Sequence, residues 1–519
     1  MEVRLHLLRV NLKHFPFLLS FLIGSFFLRF PFVQKELPPF QFCDESFFAS
    51  DVKQMLDSKF PIAQEFRSGN LNSLPTYAVG LLLRVVGKQL NIEEIIVLGR
   101  IIMPMILGSA TCFIIYIIAY LWTRSIFVAS LVALIWLTSP YILSQSLIWY
   151  PDSYVFFFSA LVLLDLSLIL RNEDSILKKH TLIKSAGLIA AGTSIKYNFL
   201  IFAVPYIVIL YRQSLMGRKQ HQVIDTDRFI GKLKFCIVAS GSFFAVFNYS
   251  IFLNPIDFLR GLNSNRKIYQ VDFERITGGM TYLWNALTLP WGLFGLLALI
   301  VGILFLVKEN RLLIHMFITP IFLYLFIGGL NQQLVVRNIN IVLPFLLVPI
   351  LYLAKKCQQN FRAIMLYCVL LGLVVFQNSL ISKENYIQLT QPDSTKVVMD
   401  QVKSLIPSQE LVGVNLGCSG PTPIDLLGFS VLDDPQMEKR LNYYLFTSYY
   451  QSILFGYYSQ GNVSKIRNFK DAHFYFYNQD LKLFSSAPIR SLSSFVPNGY
   501  KIIEIFRGNG PDFILIGKG

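Results

Sequence analysis

Residues 41–56, QFCDESFFASDVKQML, follow the first long apolar run of the chain and place two adjacent carboxylates there, Asp44 and Glu45. Acidic residues at a helix start favour the local dipole, so the pair can be explained as a helix cap. The alternative is chemical, because a carboxylate at a water–lipid boundary can accept a proton from an acceptor hydroxyl. Position in the sequence does not separate the two interpretations.

The same stretch has the periodicity of an amphipathic helix. Its apolar residues recur at helical spacing, at Phe48, Val52, Met55, Leu56 and Phe60. The opposite face is predicted to be charged, with Asp51, Lys53, Asp57 and Lys59. This pattern predicts a helix lying in the membrane interface. A second short helix, LPTYAVGLLLRVVG, is too short to span a bilayer and is also expected at the surface.

Composition identifies the class of protein. The 519 residues are 54% hydrophobic and only 15% charged, whereas soluble domains carry about 25% charged residues. The net charge of +15 does not indicate a nucleic-acid partner, because the basic residues fall mostly in short loops between apolar runs. The six cysteines include no C-x-x-C pair, which argues against a zinc site or a disulfide framework.

Hydropathy predicts an α-helical multi-pass membrane protein with about 11 transmembrane helices. The predicted spans are residues 15–33, 96–121, 126–145, 153–170, 183–196, 198–211, 235–253, 286–307, 312–330, 338–354 and 361–380. The fifth and sixth share the polar break SIKYN. Eleven spans place the N-terminus inside and the C-terminus outside, and the Lys/Arg excess falls on the predicted inner side.

Two segments are not predicted spans. Residues 34–95 form a long outer loop that carries the interface helices and belongs to a transmembrane domain of residues 1–392. Residues 393–519 have ordinary polarity, turn signals and β-rich runs such as YKIIEIF and FILIG. They predict a small C-terminal α/β domain outside the membrane.

A third acidic residue emerges on the side predicted for Asp44. Asp152, in IWYPDSYVFF, can be read as an N-cap next to Pro151. Two acidic groups that are distant in the sequence but share one face of a helical bundle are also typical of a functional site. Asp165, by contrast, would lie some 20 Å from Asp152 at about 1.5 Å per residue, so it is predicted to be structural.

Basic residues on or near this outer face include Arg67, Lys196 and Arg337. Ionisable residues at membrane depth are costly and tend to line pathways or to pair. They can snorkel to headgroups, or they can clamp a lipid phosphate. The sequence assigns no cofactor; the alternative is a divalent metal cation held by Glu65 with Asp44 or Asp152 through oxygen ligands.

The order of several motifs resembles a known superfamily. The stretch CDESFFASDVKQML is followed by NLNSLPTYAVGLLLRVVG, LGRIIMPMILGSATCFIIY, SLIWYPDSYVFFFSALVLL, GLIAAGTSIKYNFLIFAVP and RNINIVLPFLLVPIL. Over roughly residues 15–355 the chain resembles the protein O-mannosyltransferase and lipid A aminoarabinose transferase superfamily. These are C-type glycosyltransferases, multi-spanning enzymes that use polyprenyl-phosphate sugars. One departure is SLPTY at the second interface helix, where the family often has a His-Pro-Pro or Pro-Pro-Leu-Tyr start.

The resemblance implies a C-type glycosyltransferase architecture and a role for each matching residue. Asp44 matches the catalytic acidic residue, with Glu45 beside it, and Asp152 matches the second acidic position. Lys196 and Arg337, together with Arg67, are expected near the donor phosphate. The implied function is inverting transfer of a hexosyl or pentosyl group from a polyprenyl-phosphate sugar to a hydroxyl of a glycan, lipid or protein. The competing hypothesis is a transporter or flippase of a lipid-linked saccharide.

The implied function also predicts the membrane in which the protein is located. A multi-pass protein of the bacterial inner membrane is favoured, with an extracytoplasmic C-terminus and a role in cell-envelope glycan synthesis. The endoplasmic reticulum membrane is the alternative, and Asn462 in an NVS sequon does not decide between them.

Overall fold

The structure is a computed structural model that describes part of the chain. The described residues are 15–33, 43–58, 73–146, 149, 151–215, 226–253, 255–256, 259, 287–288, 290–330, 336–390, 401, 404–405, 412–415, 431–433, 443–447, 500–506 and 513–518.

The described residues in the first half of the chain are mostly helical. Its α-helices are α1 (Phe15–Val33), α2 (Cys43–Ser58), α3 (Leu74–Val85), α4 (Ile92–Arg100), α5 (Gly108–Thr123), α6 (Ile126–Thr138), α7 (Pro140–Gln145), α8 (Pro151–Ile169), α9 (Lys179–Ile195), α10 (Ala203–Leu215), α11 (Thr226–Phe247) and α12 (Tyr249–Leu253). A π-helical segment, Ile101–Leu107, joins α4 to α5, and 3-10 helices occupy Glu173–Leu177 and Tyr197–Phe202.

The second half continues with α13 (Gly292–Glu309), α14 (Arg311–Leu313), α15 (Thr319–Leu330), α16 (Leu347–Cys357) and α17 (Phe361–Thr390). A π-helical segment, Ile314–Ile318, lies between α14 and α15. Two 3-10 helices, Val336–Ile341 and Leu343–Leu346, precede α16. The helices α8, α9, α5 and α16 pack around a common core of buried apolar residues.

Four helices within the described ranges are long and apolar enough to cross a membrane: Ile92–Thr123, Thr226–Phe247, Gly292–Glu309 and Phe361–Lys383. Each overlaps a predicted span, so the multi-pass helical character of the chain is confirmed. The total of eleven spans stays a prediction.

Local chemistry explains where several helices begin and end. Asn91 and Glu94 form a reciprocal capping box at the start of α4, with hydrogen bonds of 2.8 and 3.0 Å. The predicted span 126–145 is interrupted after Thr138, because Pro140 has no N–H to continue the helix and Ser139 before it is extended. The predicted break at Lys196 is confirmed, since α9 ends at Ile195 and Lys196 is extended.

The two predicted interface helices exist as α2 and α3, but they use their apolar faces differently. On α2, Phe48, Val52, Met55 and Leu56 are buried, and the helix packs against α3 and α4. Phe60 lies outside the described residues. Asp51, predicted on the charged outer face, is also buried, so this part of the pattern was wrong. On α3, Val85 is 81% exposed and Leu82 is 67% exposed. That exposed apolar face suits contact with lipid.

Five short strands lie in the C-terminal part: β1 (Val412–Asn415), β2 (Val431–Asp433), β3 (Tyr443–Thr447), β4 (Tyr500–Phe506) and β5 (Phe513–Lys518). They form one mixed sheet in the order β2-β1-β3-β5-β4. β1 pairs in parallel with β2 and β3, whereas β5 pairs antiparallel with β3 and β4. The runs YKIIEIF and FILIG are therefore strands, as their β-rich composition predicts.

Asp165 forms a polar cluster inside the helical bundle, in agreement with its predicted structural role. Its carboxylate accepts hydrogen bonds from Ser185 at 2.7 Å and Tyr206 at 3.0 Å, and it forms an ion pair with Lys184. Because Ser185 is on α9 and Tyr206 is on α10, the cluster ties both helices to α8.

Removing this carboxylate is expected to destabilise the bundle. Asp165→Ala leaves two buried hydroxyls without their acceptor, and we expect a loss of about 3 kcal/mol. Thermal unfolding in detergent would measure it, with Asp227→Ala, an exposed residue in the first turn of α11, as control. Equal unfolding temperatures for the two variants would contradict this role.

Candidate active site

A buried ion pair links α2 to α4. The Glu45 carboxylate receives hydrogen bonds from Arg100 Nε at 2.9 Å and from Arg100 Nη2 at 2.7 Å. The two side chains are only 2% and 4% exposed. This two-point contact has the geometry in which a guanidinium binds a carboxylate most strongly.

Helical periodicity accounts for the burial of Glu45. It lies three and four residues before Phe48 and Ala49 and seven before Val52, all of which are buried. Glu45 therefore belongs to the face of α2 that packs into the protein. A charged residue on an apolar helical stripe requires a partner, and Arg100 is also buried at the last position of α4.

Trp149, just before α8, joins the same cluster. Its backbone N–H donates a hydrogen bond of 2.8 Å to Glu45 Oε1. The buried indole ring packs against Phe48, with ring centroids 5.8 Å apart. It also lies so close to Gly99 that a Cβ at this position would overlap the ring. The absence of a side chain at Gly99 therefore allows three segments to meet.

These contacts join the two segments that carry the predicted acidic residues Asp44, Glu45 and Asp152. Asp44 precedes Glu45 in the first turn of α2, and Asp152 follows Trp149 by three residues in the first turn of α8. We call Asp44, Glu45, Trp149 and Asp152 the acidic corner. The side chains of Asp44 and Asp152 are outside the described part of the structure.

A buried arginine that sequence reasoning missed provides a second tie to this region. Arg29 on α1 donates hydrogen bonds to Ser25 Oγ at 2.6 Å and to Ser146 Oγ at 2.8 Å. Ser146 is three residues before Trp149, so α1 holds the other end of the segment that leads to α8. The signal in the sequence was a lone arginine within the apolar run GSFFLRFPF.

The segment that follows the predicted phosphate-binding residue Lys196 contacts the 3-10 helix Leu343–Leu346, whereas Arg337 lies in the preceding 3-10 helix. Lys196 is partly buried between α9 and the 3-10 helix Tyr197–Phe202. Phe202 stacks on Phe345, with centroids 4.1 Å apart. Arg337 is in the 3-10 helix Val336–Ile341, which is bonded to α8 through Ser159 Oγ and the carbonyl of Ile341 at 2.9 Å. The Arg337 side chain is outside the described set.

Two further predicted residues, Glu65 and Arg67, lie outside the described residues. Within the described part of the chain, the structure shows no group of three or more His, Cys, Asp or Glu residues that could hold a metal ion. The metal site of Glu65 with Asp44 or Asp152 therefore stays a prediction.

No protein-family model matches the sequence, and no curated protein matches it either. The fold is nevertheless shared with a solved structure, which agrees with the resemblance in the sequence. The structure is similar to the crystal structure of ArnT from Cupriavidus metallidurans bound to undecaprenyl phosphate. The TM-score is 0.51 at 10% identity, and the match covers 98% of each chain.

Two structures of an archaeal oligosaccharyltransferase from Archaeoglobus fulgidus also match. One is AglB with an inhibitory peptide and a dolichol-phosphate, at TM-score 0.48 and 9% identity, covering 87% of this chain and 72% of that one. The other is a complex with Zn and sulfate, at TM-score 0.49 and 9% identity, covering 85% and 69%. TM-scores below 0.5 are too low to add to the conclusion about the fold.

Proposed function

We propose that this chain is a membrane glycosyltransferase that moves a sugar from a polyprenyl-phosphate donor to an acceptor hydroxyl. The observation that carries the proposal is the acidic corner, in which the hydrogen bond from Trp149 to Glu45 joins the segments of Asp44 and Asp152. It occurs in a fold shared over almost the full length with ArnT, whose structure contains undecaprenyl phosphate.

Asp44 is the proposed general base. The acceptor oxygen attacks the anomeric carbon as its proton passes to the Asp44 carboxylate. The bond from the anomeric carbon to the phosphate oxygen breaks, and its electron pair leaves with the lipid phosphate. A single displacement of this kind inverts the anomeric centre. Asp152 supplies a second carboxylate to orient the acceptor.

The predicted catalytic role of Glu45 becomes a positioning role in this proposal. Both of its oxygens receive hydrogen bonds from buried donors, namely the Arg100 guanidinium and the Trp149 amide. These contacts suit a residue that fixes the backbone on either side of it. Asp44 is thereby held at a defined place in the first turn of α2.

Positive charge is proposed to stabilise the departing phosphate. Lys196, Arg337 and Arg67 are the candidates. Positive charge lowers the reaction barrier most where negative charge develops, which here is the departing phosphate. The 3-10 helix that carries Arg337 is bonded to α8 through Ser159, which supports the assignment of Arg337. A divalent cation held by Glu65 is the alternative source of charge.

The proposal also includes a division of the chain into two domains. Residues 1–392 form the transmembrane glycosyltransferase domain, and residues 393–519 form an α/β extracytoplasmic domain that contains the five-stranded sheet. The acceptor is a glycan, lipid or protein on the outer face. The favoured location is the bacterial inner membrane, with the endoplasmic reticulum as the alternative.

Purified protein incubated with polyprenyl-phosphate sugars provides the test. We expect release of polyprenyl phosphate that depends on an added hydroxyl acceptor, together with a glycosylated product of inverted anomeric configuration. Movement of the lipid-linked sugar across vesicles without turnover would instead support the flippase hypothesis. A product with retained configuration would contradict single displacement.

A further inference from the structure

The amide of Asn340 is buried without any hydrogen-bond partner. Its side chain is 0% exposed, and neither Nδ2 nor Oδ1 has a partner. Among the described residues, Asn340 alone leaves both atoms of a side-chain amide unpaired in this way. Because burying an unpaired amide is costly, native proteins pair such groups almost without exception. The amide therefore indicates a polar ligand.

Asn340 lies on an element that connects the two ends of the proposed site. It is three residues after Arg337 in the 3-10 helix Val336–Ile341, which is one turn of such a helix. The next residue, Ile341, accepts the hydrogen bond from Ser159 on α8. Ser159 follows Asp152 by seven residues, which places them on one face of α8, about 10 Å apart along its axis.

The chemistry of the amide narrows the class of ligand. Nδ2 can donate two hydrogen bonds to phosphate oxygens, and Oδ1 can accept one from a hydroxyl. The residues around it in sequence are apolar and buried, including Ile339, Ile341 and Val342. A buried donor beside apolar surface suits a ligand with a polar head and a hydrocarbon tail.

We infer that Asn340 binds the phosphate of a polyprenyl-phosphate ligand. This inference rests on the proposed function and adds Asn340 to Lys196, Arg337 and Arg67 as a phosphate-binding residue. The shared chemistry is that of a phosphate, so lipid phosphate and inorganic phosphate must be distinguished by experiment.

The test measures binding of polyprenyl phosphate, polyprenyl alcohol and inorganic phosphate to purified protein in lipid nanodiscs. Asn340→Leu removes both hydrogen-bonding atoms at similar volume, and we expect about tenfold weaker binding of polyprenyl phosphate. Binding of the alcohol should not change. The matched control is Asn378→Leu on α17, where a 2% exposed amide also has an unpaired Nδ2; it should bind like the wild type.

Further outcomes separate the inference from the proposed function. Equal binding of polyprenyl phosphate by Asn340→Leu and wild type would overturn the inference alone. Failure of the wild type to bind it would overturn both. Equal loss of alcohol and phosphate binding would show a packing effect and overturn the inference. Inorganic phosphate bound as tightly as the lipid phosphate would overturn the lipid assignment.

Protein stability provides an independent readout. Leucine removes an unpaired buried amide, so the unfolding temperature of Asn340→Leu without ligand should equal or exceed that of the wild type. A fall of several degrees would show that the amide has structural partners and would overturn the inference. Asn340→Asp, of equal size, places negative charge near the phosphate and should also weaken lipid-phosphate binding if the leucine variant does not fold.

Discussion

Asp44→Asn is expected to lower the rate of sugar transfer by about 10²- to 10⁴-fold, the usual contribution of a general base. Asparagine has nearly the same shape but cannot accept the acceptor's proton at neutral pH. Because the hydrogen bonds from Arg100 and Trp149 to Glu45 are left in place, the variant should insert and fold normally. Binding of polyprenyl phosphate should also be retained.

The rate is measured as acceptor-dependent release of polyprenyl phosphate at saturating donor. Asp57→Asn is the control, since Asp57 is an exposed carboxylate on the same helix. This variant removes the same charge at a position outside the acidic corner, so its transfer rate should match that of the wild type. Full activity in a folded Asp44→Asn variant would exclude Asp44 as the base.

Breaking the Glu45–Arg100 pair is expected to cost about 3 to 5 kcal/mol of folding stability, because it removes the opposite charge that is bonded to a buried ionic group. Glu45→Ala also removes the acceptor of the Trp149 N–H. Arg100→Ala leaves the carboxylate without its guanidinium. Each single variant should therefore unfold at a clearly lower temperature than the wild type.

A double-mutant cycle tests whether the loss of stability comes from direct coupling between Glu45 and Arg100. With both charges replaced, as in Glu45→Leu with Arg100→Leu, the loss should be smaller than the sum of the two single leucine variants. The exposed pair Lys88–Glu94, with atoms 3.0 Å apart, is the control, and Lys88→Ala should cost less than about 1 kcal/mol. Additive losses at Glu45 and Arg100 would contradict a direct coupling.

Much of the fold could be predicted because its physical causes are local. Long apolar runs predicted the helices that can span a bilayer, since an apolar segment is stable there only when its backbone groups are paired within the segment. Pro140 and the polar residues around Lys196 marked breaks, although hydropathy alone overlooked the first of them. The pattern of α2 predicted which residues form its apolar face, but that face was expected in the membrane interface and is buried in the protein. β-rich composition predicted β4 and β5.

The candidate site depended on contacts between distant segments, which no local pattern specifies. The sequence by itself determined that acidic residues stand at Asp44, Glu45 and Asp152 at the ends of apolar helices. The tertiary structure decided that Glu45 faces inward to Arg100 and that Trp149 carries the segment of Asp152 to it. It also revealed Arg29 and Asn340 as buried polar groups. Burial and pairing of a polar side chain are properties of the packed bundle, because they depend on which helices surround it.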